Sequence, residues 1–265
     1  MYPTNYHKPS SVADAASLLS GGEAAKVLAG GQTLLPTMKQ HLAAPSDLVD
    51  VRGIDGMEGV TASNGTITIG AATRHADVES NADVKSHIPA LAALAGGIGD
   101  PAVRSMGTIG GSIANNDPAA DYPSAVLGLG GTVVTNKREI AADEFFQGMF
   151  GTALDEDEII TAVRFPVPSK AAYAKFPNPA SRYAMVGVFV AQTDSGVRVA
   201  ITGAGDDGVF RHEGLEQALS GSFSADAVDG VAVGEDGMLS DIHGTAAYRA
   251  NLVSVMAKRA VDAAG

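Results

Sequence analysis

The sequence contains no cysteine and no tryptophan, and aromatic residues make up only 5% of it. Without a thiolate, the chain itself can hold no disulfide, no thiolate zinc site and no iron–sulfur cluster. Lysine and arginine number 18 against 30 aspartate and glutamate residues, which gives a formal net charge of -12. No basic run offsets that charge, so nucleic acid is excluded as a natural partner.

Long apolar runs are also missing. No stretch approaches the roughly 20 consecutive apolar residues of a membrane span. The first residues lack both the basic start and the apolar segment of a secretory signal. We therefore expect a cytoplasmic protein without a transmembrane segment.

The common catalytic and metal-binding patterns are absent as well. There is no Gly-x-Ser-x-Gly elbow and no Gly-Lys-Ser/Thr phosphate loop, so we predict no hydrolase or nucleotide triphosphatase chemistry. The six histidines show no i, i+4 pairing, and we expect them on the surface or at helix caps rather than on a metal. The acidic run 155–158 precedes an apolar strand pattern and is expected to form a solvated turn. We predict no catalytic residue and no metal ligand.

The order of apolar patterns predicts an α+β protein of three parts. Residues 1–55 alternate strand and helix patterns, as in a small βαβ unit. Residues 56–168 mix helices with period-two strands, including a hairpin at Asn64-Gly65. Pro166-Val-Pro-Ser-Lys170 is the predicted linker, and residues 171–265 follow as a unit of strands ending in a long amphipathic helix.

Two glycine-rich loops are the candidate binding elements. Residues 106–123 contain a glycine pair and two aspartates but no lysine or arginine, and residues 29–35 place a second glycine pair between a strand and a helix. Each loop alone is equally well explained as a tight turn. Together, in separate subdomains, they predict a clamp that holds a diphosphate through backbone amides. Asp121 is also the expected N-cap of a short helix that follows it.

A literal Gly-x-Gly-x-x-Gly is present at Gly203-Ala-Gly-Asp-Asp-Gly208. Two aspartates occupy the position where a dinucleotide pyrophosphate would lie, so the charge is wrong for that ligand. We interpret this segment as a loop at the end of a strand.

Taken together, several ordered motifs resemble the FAD-binding medium subunit of molybdenum hydroxylases, of the aerobic carbon monoxide dehydrogenase and xanthine dehydrogenase type. The motifs are Ala29-Gly-Gly-Gln-Thr-Leu-Leu-Pro-Thr-Met-Lys39, Ile69-Gly-Ala-Ala-Thr73, Asp100-Pro-Ala-Val-Arg-Ser-Met-Gly-Thr-Ile-Gly-Gly111, Ala114-Asn-Asn-Asp-Pro-Ala-Ala-Asp-Tyr-Pro123 and Asp241-Ile-His-Gly-Thr-Ala-Ala-Tyr-Arg249. The resemblance covers essentially the whole chain. It implies a vanillyl-alcohol-oxidase-type FAD-binding fold of two subdomains, 1–55 and 56–168, plus a C-terminal flavoprotein domain, 171–265.

The resemblance also implies a role for individual residues. The first loop would wrap the pyrophosphate, and the second would face it from the other side, with Asn115 on nearby cofactor oxygens and Asp121 accepting from ribityl hydroxyls. Ile98 would pack on adenine or flavin, and Lys175 would lie near the flavin ring. The cofactor-binding residues expected on this basis are Ala29, Gly30, Gly31, Gln32, Thr33, Leu34, Ile98, Thr108, Gly110, Gly111, Ser112, Asn115, Asp121 and Lys175.

By the same resemblance, the chain is expected to be the electron-transfer flavoprotein of a complex. A large subunit would carry molybdopterin and a small subunit two [2Fe-2S] clusters, and this oxidoreductase subunit would pass their electrons through FAD to an acceptor. Two alternatives stay open. One is a self-sufficient FAD-dependent oxidase or dehydrogenase of the same fold, and the other is a flavin-free interaction module.

Overall fold

The structure, a computed structural model, describes residues 1–265. Its helices and strands are arranged around three separate sheets, so the predicted α+β class is confirmed. None of the helices combines the length and the apolar character needed to traverse a bilayer.

The first sheet has three parallel strands in the order β1-β3-β2. One helix lies between each two consecutive strands of this sheet, because strands that run parallel need a crossover connection. Ser11 caps the first helix by accepting from the Asp14 amide, as the sequence pattern predicts. The elements are β1 (Asn5–His7), α1 (Val12–Gly21), β2 (Lys26–Leu28), α2 (Leu34–Lys39) and β3 (Asp47–Asp50).

The second sheet is antiparallel, with five strands in the order β4-β5-β8-β6-β7. Asn64 and Gly65 both have positive φ angles, 49° and 71°, which the tight turn between β4 and β5 requires. Six helices are inserted between β5 and β6. The elements are β4 (Val60–Ser63), β5 (Thr66–Gly70), α3 (His75–Ser80), α4 (Ala82–His87), α5 (Pro89–Gly96), α6 (Pro101–Arg104), α7 (Ile109–Asn115), α8 (Tyr122–Gly128), β6 (Thr132–Thr135), β7 (Glu139–Ala141), α9 (Ala142–Phe145) and β8 (Ile160–Pro166).

The third sheet is antiparallel, in the order β12-β11-β10-β9, and residues 167–169 connect it to the second. The Gly203–Gly208 segment lies in the loop after β11 and opens no helix, in agreement with its interpretation as a strand-end loop. The elements are β9 (Lys170–Pro177), β10 (Ala184–Thr193), β11 (Gly196–Thr202), β12 (Phe210–Arg211), α10 (Glu213–Gly221), α11 (Ala225–Asp229) and α12 (Ala246–Ala264).

The third sheet is buried on both faces. Val186, Val188 and Val190 of β10 share a core with α12, whereas Phe189 and Ala191 of the same strand belong to the large core that contains α5 and α8. Alternate side chains of a strand point to opposite faces, so β10 joins the two cores. The large core of 36 residues also includes Ala15, Leu19 and Val49, so the first two sheets share it.

Candidate cofactor-binding site

One large cavity of about 870 Å³ lies between the first two sheets and reaches the third part of the chain. Its volume falls within the roughly 300–1,000 Å³ range of small-molecule and cofactor sites. Every cofactor residue expected from the sequence lines it except Lys175. The lining also includes a segment of the C-terminal part, residues 180–183, at which no sequence motif pointed.

The two glycine loops meet at this cavity. A methyl group on Gly30 would stand 2.3 Å from the Met106 carbonyl oxygen and 2.5 Å from the Gly107 α-carbon. Contacts that short are possible only for glycine, so the backbones of the loops touch directly. Gly31 has a φ of +69°, a left-handed conformation that turns the chain from β2 into α2. The two loops are therefore in direct contact beside the cavity.

The first loop presents free hydrogen-bond donors. The amides of residues 30–33 make no hydrogen bond within the chain, and neither does the Thr33 hydroxyl. Gln32 bonds back to its own loop, because its side-chain amide donates to the Gly30 carbonyl at 3.3 Å. A run of unpartnered amides at the start of a helix is suited to an anion.

The second loop differs from the expectation that its amides face a ligand. The amide of Gly110 donates to the Ala71 carbonyl at 2.8 Å, the amide of Gly111 to the Thr108 hydroxyl at 3.1 Å, and the amide of Ser112 to the Thr108 carbonyl at 3.0 Å. These bonds anchor α7 and cap its N-terminus. The amides of Gly110, Gly111 and Ser112 are therefore not free to bind a ligand.

This loop instead offers side chains to the cavity. The Ser112 hydroxyl and the Asn115 side-chain amide make no hydrogen bond within the chain, and both residues line the cavity. The Thr108 hydroxyl accepts from Gly111 and keeps its own hydrogen for a further acceptor. Gly110 lets α7 pack closely on Ala71, since a methyl group on Gly110 would stand 2.6 Å from the Ala71 side chain.

Asp121 also lines the cavity and is only 5% exposed. It begins α8, but its carboxylate makes no capping bond, contrary to the expectation. Tyr173 donates to one carboxylate oxygen at 2.5 Å and Lys175 to the other at 2.9 Å. Burial raises the pKa of the Asp121 carboxyl, and the Lys175 ammonium and the Tyr173 hydroxyl oppose that rise.

Lys175 does not line the cavity but binds the Asp121 carboxylate, which does. Its side chain is 11% exposed, and its ammonium also donates to the Gly97 carbonyl at 3.1 Å. Lys175 and Tyr173 are both on β9, so strand β9 of the third sheet fixes a side chain of the cavity. Ile98 lies close by, half-buried and packed on the large core.

The charge of the lining is mostly negative. Glu158, expected in a solvated turn, is buried, and its ion pair with Arg138 lowers its pKa to about 2. A negative lining cannot attract a diphosphate by charge, so neutral donors must hold it. The carboxylate residues in the lining are Asp100, Asp117, Asp121, Asp155, Glu156 and Glu158, against the cations Lys26 and Arg182.

His75 is the main lining residue that the sequence did not single out. It was expected on the surface or at a cap, but it is 5% exposed and starts α3 beside the second loop. Burial and the neighbouring Arg104 lower its pKa to about 4. Only its position two residues after the Ile69–Thr73 motif distinguished it in the sequence. No cluster of acidic and histidine side chains suited to a metal ion is present.

Comparisons with known proteins agree with this geometry. Residues 2–168 match the family described as "FAD binding domain in molybdopterin dehydrogenase". The chain is 35% identical to the nicotine 6-hydroxylase medium subunit of Paenarthrobacter nicotinovorans and 34% identical to the carbon monoxide dehydrogenase medium chain of Hydrogenophaga pseudoflava, covering 98% of this chain and 96% of the relative in each case.

Its fold is also that of a solved member. A structure of carbon monoxide dehydrogenase from Hydrogenophaga pseudoflava matches with a TM-score of 0.91 and 35% identity, over 100% of this chain and 98% of the other. The family match spans well over half of the residues, and it confirms the resemblance seen in the ordered motifs. The chain therefore belongs to the family of FAD-binding domains of molybdopterin dehydrogenases.

Proposed function

We propose that this chain binds FAD in the cavity between its first two sheets and serves as the electron-transfer subunit of a molybdenum-containing hydroxylase or dehydrogenase. The observation that carries the proposal is the junction of the two glycine loops, where unpartnered amides face a cavity of cofactor size. When bound, FAD supplies the oxidation and reduction chemistry itself. The protein then needs only to hold, orient and shield it.

The donor set fits the cofactor. Residues 30–33, with the Thr33 hydroxyl, would hold the diphosphate from one side, and Thr108 and Ser112 would hold it from the other. Asn115 would meet nearby cofactor oxygens. In this division neutral donors hold the diphosphate, in keeping with the mostly negative lining. Glycine is needed at position 30, because a methyl group there would collide with Met106 of the second loop, and a methyl group on Gly111 would stand 3.4 Å from the Ala29 side chain of the first loop.

Asp121 would accept from ribityl hydroxyls, as expected from the sequence. Lys175 and Tyr173 keep its carboxylate oriented, and each oxygen retains a lone pair for a further donor. Lys175 thus contributes by positioning Asp121 rather than by lying in the cavity wall. Ile98 would provide an apolar contact for a ring of the cofactor.

The proposed partners are a large subunit with molybdopterin and a small subunit with [2Fe-2S] clusters. Two relatives are named as a medium subunit and a medium chain, of nicotine 6-hydroxylase and of carbon monoxide dehydrogenase, which supports an assembly with other subunits. The absence of cysteine supports this division, because clusters ligated by thiolates must be held by another chain. Electrons would enter FAD from those clusters and leave to an acceptor. A cytoplasmic location stays a prediction.

We also propose the domain boundaries 1–55, 56–168 and 171–265. Each of the three sheets falls within one of these ranges, except that β9 begins one residue earlier, at Lys170, and the FAD-domain match ends at residue 168. The first two ranges share one core and are treated as subdomains.

Flavin titration tests the proposal directly. Purified chain should take up one FAD per molecule, with the visible flavin band and quenched flavin fluorescence, and Gly111→Leu should lose this uptake while its C-terminal sheet stays folded. Failure of the wild-type chain to bind FAD, alone or mixed with its partner subunits, would refute the proposal. Turnover of a small substrate by the isolated chain would instead support the self-sufficient oxidase.

A further inference from the structure

The imidazole of His75 lies directly behind the junction of the two glycine loops. A methyl group on Gly107 would stand 2.6 Å from His75 Nε2, and a methyl group on Gly30 would stand 2.5 Å from the Gly107 α-carbon. The backbone holds the ring there, because the His75 amide donates to the Gly107 carbonyl at 2.9 Å. His75 Nε2, Gly107 and Gly30 therefore follow one another in space, and the loop amides begin at Gly30.

The ring has no hydrogen-bond partner within the chain. Nδ1 of His75 is fully buried without a partner, and Nε2 makes no hydrogen bond either. The ring centroid of Tyr122 lies 5.2 Å away, and the Tyr122 hydroxyl is likewise buried without a partner. Leaving a buried polar group without a partner is unfavourable, because the group loses its hydrogen bonds to water. A nine-tenths buried, unpartnered imidazole in the wall of a cavity therefore indicates a polar ligand group beside it.

The surroundings of the ring keep it neutral. Arg104 is the cation near the ring, and it forms a 3.0 Å ion pair with Glu79. This ion pair lies near both His75 and Tyr122. A neutral imidazole has one N–H donor and one acceptor. The donor nitrogen can meet an anion without adding a cation beside the carboxylates of the lining.

We propose that His75 is a further cofactor-binding residue, which donates a hydrogen bond from Nε2 to the diphosphate portion of FAD at the loop junction. The inference rests on the proposed function and extends it, since His75 belongs to neither glycine loop. The diphosphate would then accept a hydrogen bond from one side-chain N–H in addition to those from the backbone amides and hydroxyls of the loops.

Matched variants at His75 test the hydrogen bond. FAD is titrated into the purified chain and flavin fluorescence is followed for wild type, His75→Phe, His75→Gln and the control His87→Phe, a surface histidine outside the cavity. His75→Phe keeps a ring and loses the donor, so the Kd should rise about tenfold, equivalent to about 1.4 kcal/mol. His75→Gln keeps an N–H donor and should stay within about threefold of wild type. His87→Phe should not change the Kd.

Fragments of the cofactor locate the contact. His75→Phe should weaken ADP, which carries the diphosphate, about as much as FAD, and should leave riboflavin unaffected. Equal FAD affinity of wild type and His75→Phe, or a loss confined to riboflavin, would overturn the inference while leaving the proposed function intact. If the wild-type chain takes up no FAD, the proposed function itself fails. If circular dichroism shows His75→Phe unfolded, His75→Asn, whose shorter amide does not reach the Nε2 position, takes its place with the same expected loss.

Discussion

The buried imidazole of His75 should make the FAD-free protein less stable as the pH falls from about 6.5 to about 4. In the unfolded chain His75 regains an ordinary pKa and binds a proton below about pH 6.5, whereas the folded ring stays neutral until about pH 4. The unfolded state thus binds more protons in this window, and the free energy of unfolding falls as the pH is lowered. Above pH 6.5 neither state is protonated, so the full stability is retained there.

The size of the effect follows from the two pKa values. At pH 5 the linkage relation gives a loss of about 2 kcal/mol, and at pH 4 a loss of about 3 kcal/mol. Burial is the first cause of the lowered pKa, and the Arg104 guanidinium adds to it. Carboxylates with lowered pKa values, such as Glu158, also destabilise the fold in acid, but mainly at lower pH.

A pair of urea titrations measures the effect. Unfolding is followed by far-ultraviolet circular dichroism at about pH 5 and about pH 7.5 for wild type and His75→Gln, which cannot titrate. The stability difference between the two pH values should be about 2 kcal/mol larger for wild type, because every other group contributes equally to both proteins. Identical pH dependence in the two proteins would show that His75 is not held neutral in the fold.

Three further changes probe the cavity and its supports. Gly30→Val should abolish FAD uptake, since its side chain would collide with Met106 and separate the two loops, and equilibrium dialysis with FAD checks this; unchanged binding would show that the loops need not touch. Lys175→Met should cost about 3 kcal/mol in urea unfolding by leaving Asp121 buried without its cation. Adding Asp121→Asn should recover most of that loss, and additive losses would argue against the ion pair. Phe150→Gly should raise stability by about 1 kcal/mol, because Phe150 has a φ of +57° and is exposed; a lower thermal midpoint would contradict that reasoning.

Local chemistry in the sequence was sufficient for much of the fold. The capped helix at Ser11 and the Asn64-Gly65 turn depend on neighbouring residues alone, and both are found where they were expected. Strands β1 and β9 were not anticipated. β1 has only three residues, and β9 carries small and charged residues whose strand conformation depends on pairing with β10.

The candidate site, like the fold, could be predicted from the sequence only in part. The glycine loops were found because glycine permits contacts and φ angles that other residues do not, and that requirement is visible in a sequence. The direction of the Ile109 and Gly110 amides was not visible in the sequence, because their acceptors are the carbonyls of Thr73 and Ala71, residues well before them in the chain. Asp121 was expected to face ribityl hydroxyls, but its partners Tyr173 and Lys175 come from strand β9, about fifty residues later.

By itself, the sequence determined the absence of thiolate cofactors, the net negative charge and the family, since these depend on which residues are present and in what order. Only the tertiary structure decided which loop keeps its amides free, which carboxylate is paired, and that His75 is buried beside Gly107. Those properties arise from contacts between segments distant in the chain. Such contacts set burial and hydrogen bonding, and these in turn set the donors and pKa values of the site.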